Sequence, residues 1–145
     1  MRITVQHRKG KHYATFSSLI RIYYVSLFYS RCRLLFTDDS KYNLNGVDQY
    51  DWNKVIGRGG LKYKDGKRKD EQFLVWRYNL DKDIFEYTDY WRLDYEMEWL
   101  PAKQIETFNT TKWLSLNWFF SPLPLGGYFG GNKPAPKDLT YYIEV

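Results

Sequence analysis

The chain has 145 residues, 43% hydrophobic and 27% charged, with a net charge of +5; a chain of that kind forms one domain, buries a full core without metal or disulfide staples, and is not disordered. A lone cysteine excludes a disulfide scaffold, one cysteine with two histidines leaves no Cys/His zinc site, and no run of about 18 uncharged apolar residues offers a membrane span. The aromatic content of 20% is the unusual figure, and it favours a β-rich fold and a binding role over catalysis.

In chain order, Arg2–Gln6 alternates and reads as an edge strand, and Arg8–Lys11 as a turn. Tyr13–Phe36 is dense in Ile, Val, Tyr, Phe and Leu, and its period-two pattern predicts one long bent strand or two strands, with a helix as the alternative. Cys32 lies in it between Arg31 and Arg33, which would favour a thiolate; the competing expectation is an inward-facing strand residue. Thr37–Ser40 is a turn, and Lys41–Gly60 is irregular with a helical turn near Asp48–Val55. Gly57-Arg-Gly-Gly60 lacks the Lys and Ser/Thr of a phosphate loop.

The basic run Lys62, Lys64, Lys67, Arg68 and Lys69 surrounds Asp65-Gly66, a turn signal, and predicts an exposed hairpin tip. Gln72–Tyr78 is a strand with Phe73, Val75 and Arg77 on one face and Leu74, Trp76 and Tyr78 on the other. Ile84–Tyr90 returns beside it, and Arg92–Leu100 alternates as a further antiparallel strand with one wet face. Ala102–Phe108 reads as a short helical turn, Thr111–Phe120 as a strand, Ser121–Lys137 as a long Pro/Gly loop, and Asp138–Val145 as the last strand. Seven or eight strands at this spacing, with at most one or two short helical turns, predict a single all-β domain over 1–145, an antiparallel β-sandwich or jelly roll.

Three stretches occur in one order: Asp48-Gln-Tyr-Asp-Trp-Asn-Lys-Val-Ile-Gly57, Phe73-Leu-Val-Trp-Arg-Tyr-Asn79 and Tyr128-Phe-Gly-Gly-Asn-Lys-Pro-Ala-Pro-Lys-Asp138. Over residues 41–145 the chain resembles a group of small uncharacterised proteins of Bacteroidetes and their phages, and the closing loop is the most specific part. The group often carries a His-rich segment before the Trp-Arg strand, where this chain has its basic run. The resemblance implies a β-sandwich and brings no activity with it.

Charge is divided along the chain. The first 77 residues hold 16 basic and 7 acidic side chains, the remaining 68 hold 6 and 10, and residues 1–37 hold no acid at all. Segments 1–37 and 54–69 are therefore the places where a polyanion or nucleic acid would bind, although basic hairpin tips are common and solvated faces explain them equally well. No Ser/His/Asp or Cys/His constellation can be built. Glu96 and Glu98 have a spacing compatible with glycosidase carboxylates, yet they also form an ordinary solvated strand face. Asp48, Asp51 and Asn53 offer oxygen ligands without the rest of a calcium loop, and Asx turns fit them better. No metal or cofactor is expected.

Trp76, Trp99 and Trp118 fall on faces expected in the core, whereas Trp52, Trp91 and Trp113 do not, and Tyr23, Tyr29, Tyr87 and Tyr90 are further candidates for outer faces. The favoured expectation is a non-catalytic binding module that takes a polysaccharide on Trp52, Trp91 and Trp113 together with Tyr128, Asn132 and Asp138 of the closing loop. The alternatives are a phage-associated or other assembly protein whose aromatic faces are subunit contacts, including a homo-oligomer, and polyanion binding through the basic segments. The N-terminus lacks the pattern of a secretory signal, so the expected place of synthesis is the cytoplasm, with later packaging in a virion compatible with it.

Overall fold

The computed structural model describes residues 1–99, 103–105, 111–116 and 122–145. Its elements are β1 (Arg2–His7), α1 (Phe16–Phe28), β2 (Arg31–Leu35), β3 (Asn53–Gly59), β4 (Tyr63–Lys64), β5 (Lys67–Arg68), β6 (Glu71–Asn79), β7 (Ile84–Leu93), β8 (Glu96–Trp99), β9 (Lys103–Ile105), β10 (Leu114–Ser115), β11 (Leu123–Tyr128) and β12 (Leu139–Glu144), with 3-10 turns at Asp38–Ser40 and Val47–Tyr50. One antiparallel sheet runs β1-β12-β2-β10; the larger runs β11-β3-β6-β7-β8, with β9 also on β7, and β4-β5 is a separate hairpin.

Period-two alternation turns one side of each sheet inward. Ile3, Val5, Cys32, Leu34, Leu139, Tyr141 and Ile143 of the smaller sheet meet Leu74, Trp76, Tyr78, Phe85 and Tyr87 of the larger in one buried cluster. Trp76 spans the seam, its ring centroid 5.3 Å from Tyr141 and 4.9 Å from Phe36. Each such side chain contributes about 1.5–3 kcal/mol by leaving water, so this seam is the main source of stability. The all-β sandwich is as the strand pattern predicted, built from more and shorter strands than the seven or eight expected.

The main departure is α1, a thirteen-residue helix where a strand was expected. Thr15 caps it by accepting from the Ser18 backbone N–H, and Ser18, Ile22, Val25 and Ser26 form its buried stripe. Two of these four are serines, so the stripe lacks the apolar signature that marks a helix, while the β-branched and aromatic residues beside it favour strand. Packing overrides propensity here. Small residues let the helix lie close: a Cβ on Gly127 would stand 2.6 Å from Leu19, and Ser26 donates to the Gly57 carbonyl at 2.9 Å. Arg58 of β3 donates to the Ser26 carbonyl at 2.6 Å, which places a cation at the helix C-terminus.

Four further expectations are corrected. Residues 53–59 are strand β3, whose glycines mark close approach within a sheet. Residues 123–128 are strand β11, and Pro124 is tolerated because β11 is the sheet edge. Residues 103–105 form a strand on β7 in place of a helical turn. The alternation over 92–100 is interrupted at Asp94-Tyr95, both at positive φ (50° and 70°), a hairpin turn between β7 and β8. Of the strand expected over 111–120, Leu114–Ser115 pairs with β2, and 117–120 lie outside the described residues.

Candidate functional site

The outer face of the larger sheet carries a second apolar cluster, Phe73, Val75 and Tyr90, with Trp52 and Leu125 packed against it. The strand register makes this face a grid. Tyr128, Lys54, Val75 and Thr88 form one cross-strand row; Leu125, Gly57, Phe73 and Tyr90 form the next; Leu123, Gly59, Glu71 and Arg92 form a third. Two hollows of roughly 330 and 480 Å³ open on it and share Lys54, Arg92 and Tyr128, so they are one continuous groove. Tyr63, Lys67 and Arg68 of the β4-β5 hairpin wall one end; Trp52, Asp51, Gly131 and Asn132 wall the other.

Lys54 lies at the centre. Its Nζ is 4.8 Å from the Phe73 ring centroid and 5.8 Å from those of Tyr90 and Tyr128. Burial pulls its pKa below the usual lysine value, and Arg92 and Arg68 add to that against the opposing field of Glu71. Among the described residues no ion pair reaches it. The neighbouring cations are paired: Arg92 lies 3.4 Å from Glu71, which also accepts from Tyr90 Oη at 2.8 Å, and Arg77 lies 2.9 Å from Glu86. Arg77 also covers the Trp52 ring at 4.1 Å, which fixes that indole at the groove mouth.

Tyr128 is held from the opposite side. His12 stacks on it at 5.0 Å and Tyr13 meets it edge-on at 5.0 Å. His12 donates from Nδ1 to the Phe129 carbonyl at 2.8 Å, which sets its tautomer and orients the stack. The loop that follows is tied to the Asp48–Asn53 stretch. Gly130 N–H donates to Asn53 Oδ1 at 2.6 Å, and Asn53 Nδ2 donates to Tyr42 Oη at 3.0 Å. Gln49 accepts from the Leu44 N–H and donates to the Tyr42 and Tyr78 carbonyls. Asp48 pairs with Lys133 at 3.5 Å, and a Cβ on Gly131 would stand 2.8 Å from Asp51. The first and last of the three stretches noted in the sequence are thus one packed unit at this end of the groove.

Comparison of the chain with protein families, curated proteins and solved structures finds no match.

The groove brings together Trp52, Tyr128 and Asn132, with Lys67 and Arg68 at its far end. The other residues named from the sequence lie elsewhere. Trp91 is half-buried on the opposite face of β7 from Tyr90 and Arg92. Trp113 is 41% exposed on the smaller sheet, with Arg31 and Arg33 stacked at 4.6 and 5.0 Å. Asp138 accepts from the Lys9 N–H at 2.9 Å, which holds its carboxyl below the usual range and pins the start of β12 to the turn after β1. Lys62, Lys64 and Lys69 belong to the hairpin away from the groove lining. Tyr87 is buried in the main core and not on the outer face, while Tyr90 forms groove floor. Glu96 is exposed; the side chains of Glu98 and Trp99, and the whole of Trp118, lie outside the described residues. Burial pushes the Cys32 thiol up to about 12, contrary to activation by its flanking arginines.

Glu71, Phe73 and Arg92 are groove residues that the sequence alone did not single out, and Lys54 entered there only as the first cation of the basic segment 54–69. The alternation over 72–78 already put Phe73 and Val75 opposite Trp76; the missing step was to read 53–59 as a strand, which places Lys54 beside them. Among the described residues no group of three or more His, Cys, Asp or Glu is placed to hold a metal, and no helix is long and apolar enough to cross a membrane.

Proposed function

We propose that this protein is a non-catalytic binding module that takes a polysaccharide in the groove on the outer face of its larger sheet. The observation that carries this reading is the placement of two partly exposed aromatic rings, Trp52 and Tyr128, along one groove with Asp51 and Asn132 at its edge. Sugar rings have flat apolar faces and a hydroxyl rim, so stacking surfaces beside short polar side chains match them. The rings are fixed before any ligand arrives, by Arg77 under Trp52 and His12 under Tyr128, which lowers the ordering cost of binding. A glycan array with the native protein, Trp52→Ala and Trp113→Ala tests it: retention is expected for the native chain and Trp113→Ala and not for Trp52→Ala. Retention by Trp52→Ala equal to native would remove the groove from the reading.

A second reading, assembly with further copies of the chain, is favoured by α1. Phe16, Ile20, Tyr24, Leu27 and Phe28 form an exposed apolar stripe, with Phe16 78% exposed. Its surroundings are basic, with no acid in the first 37 residues, while Asp81, Asp83, Asp94 and Glu96 are exposed acids of the 81–98 segment, so another copy offers the complementary charge. Light scattering at roughly 150 and 500 mM salt tests it, since the higher salt screens such attraction. A monomer at both salts would remove it.

A further inference from the structure

We infer that the ligand of this groove is an anionic glycan, one whose carboxylate or sulfate seats against Lys54 while its sugar faces stack on Trp52 and Tyr128; this rests on the polysaccharide reading above. Three observations lead there. Lys54 stands mid-groove, on the strand next to Tyr128 and shared by both hollows, so any chain lying along the groove crosses it. Its two basic neighbours on the face are neutralised by carboxylates, Arg92 by Glu71 and Arg77 by Glu86, whereas no ion pair reaches Lys54 among the described residues. The hairpin adds Lys67 and Arg68 at one end, so the groove carries a surplus of positive charge.

An ammonium held among aromatic rings has given up hydration that rings restore only in part. An anion reaching it recovers a charge-assisted contact in a partly desolvated setting, where that contact is stronger than in open water. A neutral sugar would leave the same charge buried and poorly solvated, so the site discriminates against it. The cation count separates this ligand from single-stranded nucleic acid. A strand carries one phosphate per nucleotide and needs a row of available cations along its path. Here Lys54 is the one such cation on the floor between stacking rings, and Lys67 and Arg68 stand together at one end, so the charges form no row along the path, which suits an acidic sugar among stacked neighbours.

The test is an array of uronate oligosaccharides, their methyl esters, sulfated and desulfated galactans and neutral glucans, with (dT)12 alongside, at roughly 150 mM salt. The proteins are native, Lys54→Met, Lys54→Arg and the hairpin-tip variant Lys62→Gln/Lys64→Gln. Native protein is expected to bind acidic members and to bind their esters or desulfated forms roughly tenfold less well or worse, the loss of one charge-assisted contact. The uronate and sulfate arms tell which anion is read. Lys54→Met should lose that preference, Lys54→Arg should keep part of it, and the tip variant should keep all of it, with cooperative thermal unfolding at or above the native midpoint in each as the check on folding.

Equal binding of acids and esters, unaltered by Lys54→Met, would overturn the anionic inference and leave the polysaccharide reading in place. Binding lost in the tip variant but kept in Lys54→Met would overturn it in favour of diffuse surface attraction. Capture of (dT)12 with no oligosaccharide retained would overturn both.

Discussion

Gly57 lies beneath the ring of Phe73, its cross-strand partner: a Cβ on Gly57 would stand 2.5 Å from Phe73 Cδ1 and 2.3 Å from the Gln72 carbonyl oxygen. The ring therefore lies down over the strand and makes groove floor, where a side chain at 57 would lift it. Gly57→Ala is expected to cost about 1–3 kcal/mol, the usual range for overpacking. Urea unfolding measures it. Phe73→Leu added to Gly57→Ala should recover only part, because the Gln72 oxygen stays in the way; a cost below about 0.5 kcal/mol for Gly57→Ala would mean that β3 shifts freely and the floor is not fixed.

Lys54 is expected to trade stability for binding. Its depressed pKa, caused mainly by burial, means that the charged form is less favourable in the folded protein than in the unfolded chain. Its linked contribution is therefore unfavourable at neutral pH and improves as pH rises through the lowered pKa towards 10.5. Lys54→Met keeps the stem and removes the charge, so it should stabilise the protein on the order of 1 kcal/mol at pH 7. Differential scanning calorimetry checks the sign; a lower Tm for Lys54→Met would show that the ammonium is well satisfied where it lies.

How far the sequence went is visible in β6 and α1. In β6 the two-residue alternation is strong, and it assigned Phe73 and Val75 to one face and Trp76 to the other, as found. In α1 the same residue types misled, because the buried stripe runs through Ser18 and Ser26, whose role is to fit against Thr15, Gly57 and Arg58. Gly57 and Arg58 are brought to Ser26 by tertiary structure alone, whereas Thr15 is the helix's own N-cap. The site was legible in the same uneven way. Trp52, Tyr128 and Asn132 were recognisable as ring and loop chemistry, but the central lysine was one of 22 basic residues until the register put it between aromatic rows.

Asn53 is the hinge pin between the two motif stretches. Its side chain is buried, with Oδ1 on the Gly130 N–H and Nδ2 on the Tyr42 hydroxyl. Asn53→Leu strands the buried Gly130 amide and leaves the Tyr42 hydroxyl only the Tyr78 N–H at 3.3 Å, and it should cost roughly 1–3 kcal/mol, the range for one unsatisfied group. Hydrogen exchange is expected to accelerate first at Gly130. Uniform acceleration across the whole sheet instead would show that the loop and the sheet open together and that Asn53 secures neither separately.

Cys32 is fully buried on β2, with its thiol pushed up to about 12 by burial. The thiolate is the reactive form, so iodoacetamide at pH 8 should leave the folded protein unlabelled and alkylate it in urea. Appreciable labelling without denaturant would place β2 among the parts of the sandwich that open readily, since Arg31 and Arg33 could then act on an exposed sulfur.

His7 gives the protein a predicted acid limit. The ring is buried between Phe129 and Tyr141, at centroid distances of 6.0 and 6.2 Å, and neither nitrogen has a hydrogen-bond partner among the described residues. Burial lowers its pKa from 6.5 to about 4, because a protonated ring would place an unpaired charge in the core. The unfolded chain therefore binds more protons than the folded one between those two values. Stability from this group is complete above about pH 6.5 and is lost progressively as pH falls towards 4, by on the order of 3 kcal/mol in all. His7→Phe keeps a ring between the same neighbours and has nothing to protonate. Its stability should stay nearly flat over pH 4–6.5 where the native protein weakens, apart from the shared contribution of carboxylates such as Glu144, whose pKa Arg33 holds down. Chemical denaturation at half-unit pH steps compares the two proteins directly. Parallel pH profiles would mean that acid enters through the carboxylates alone and that the His7 ring accepts a proton without opening the sandwich.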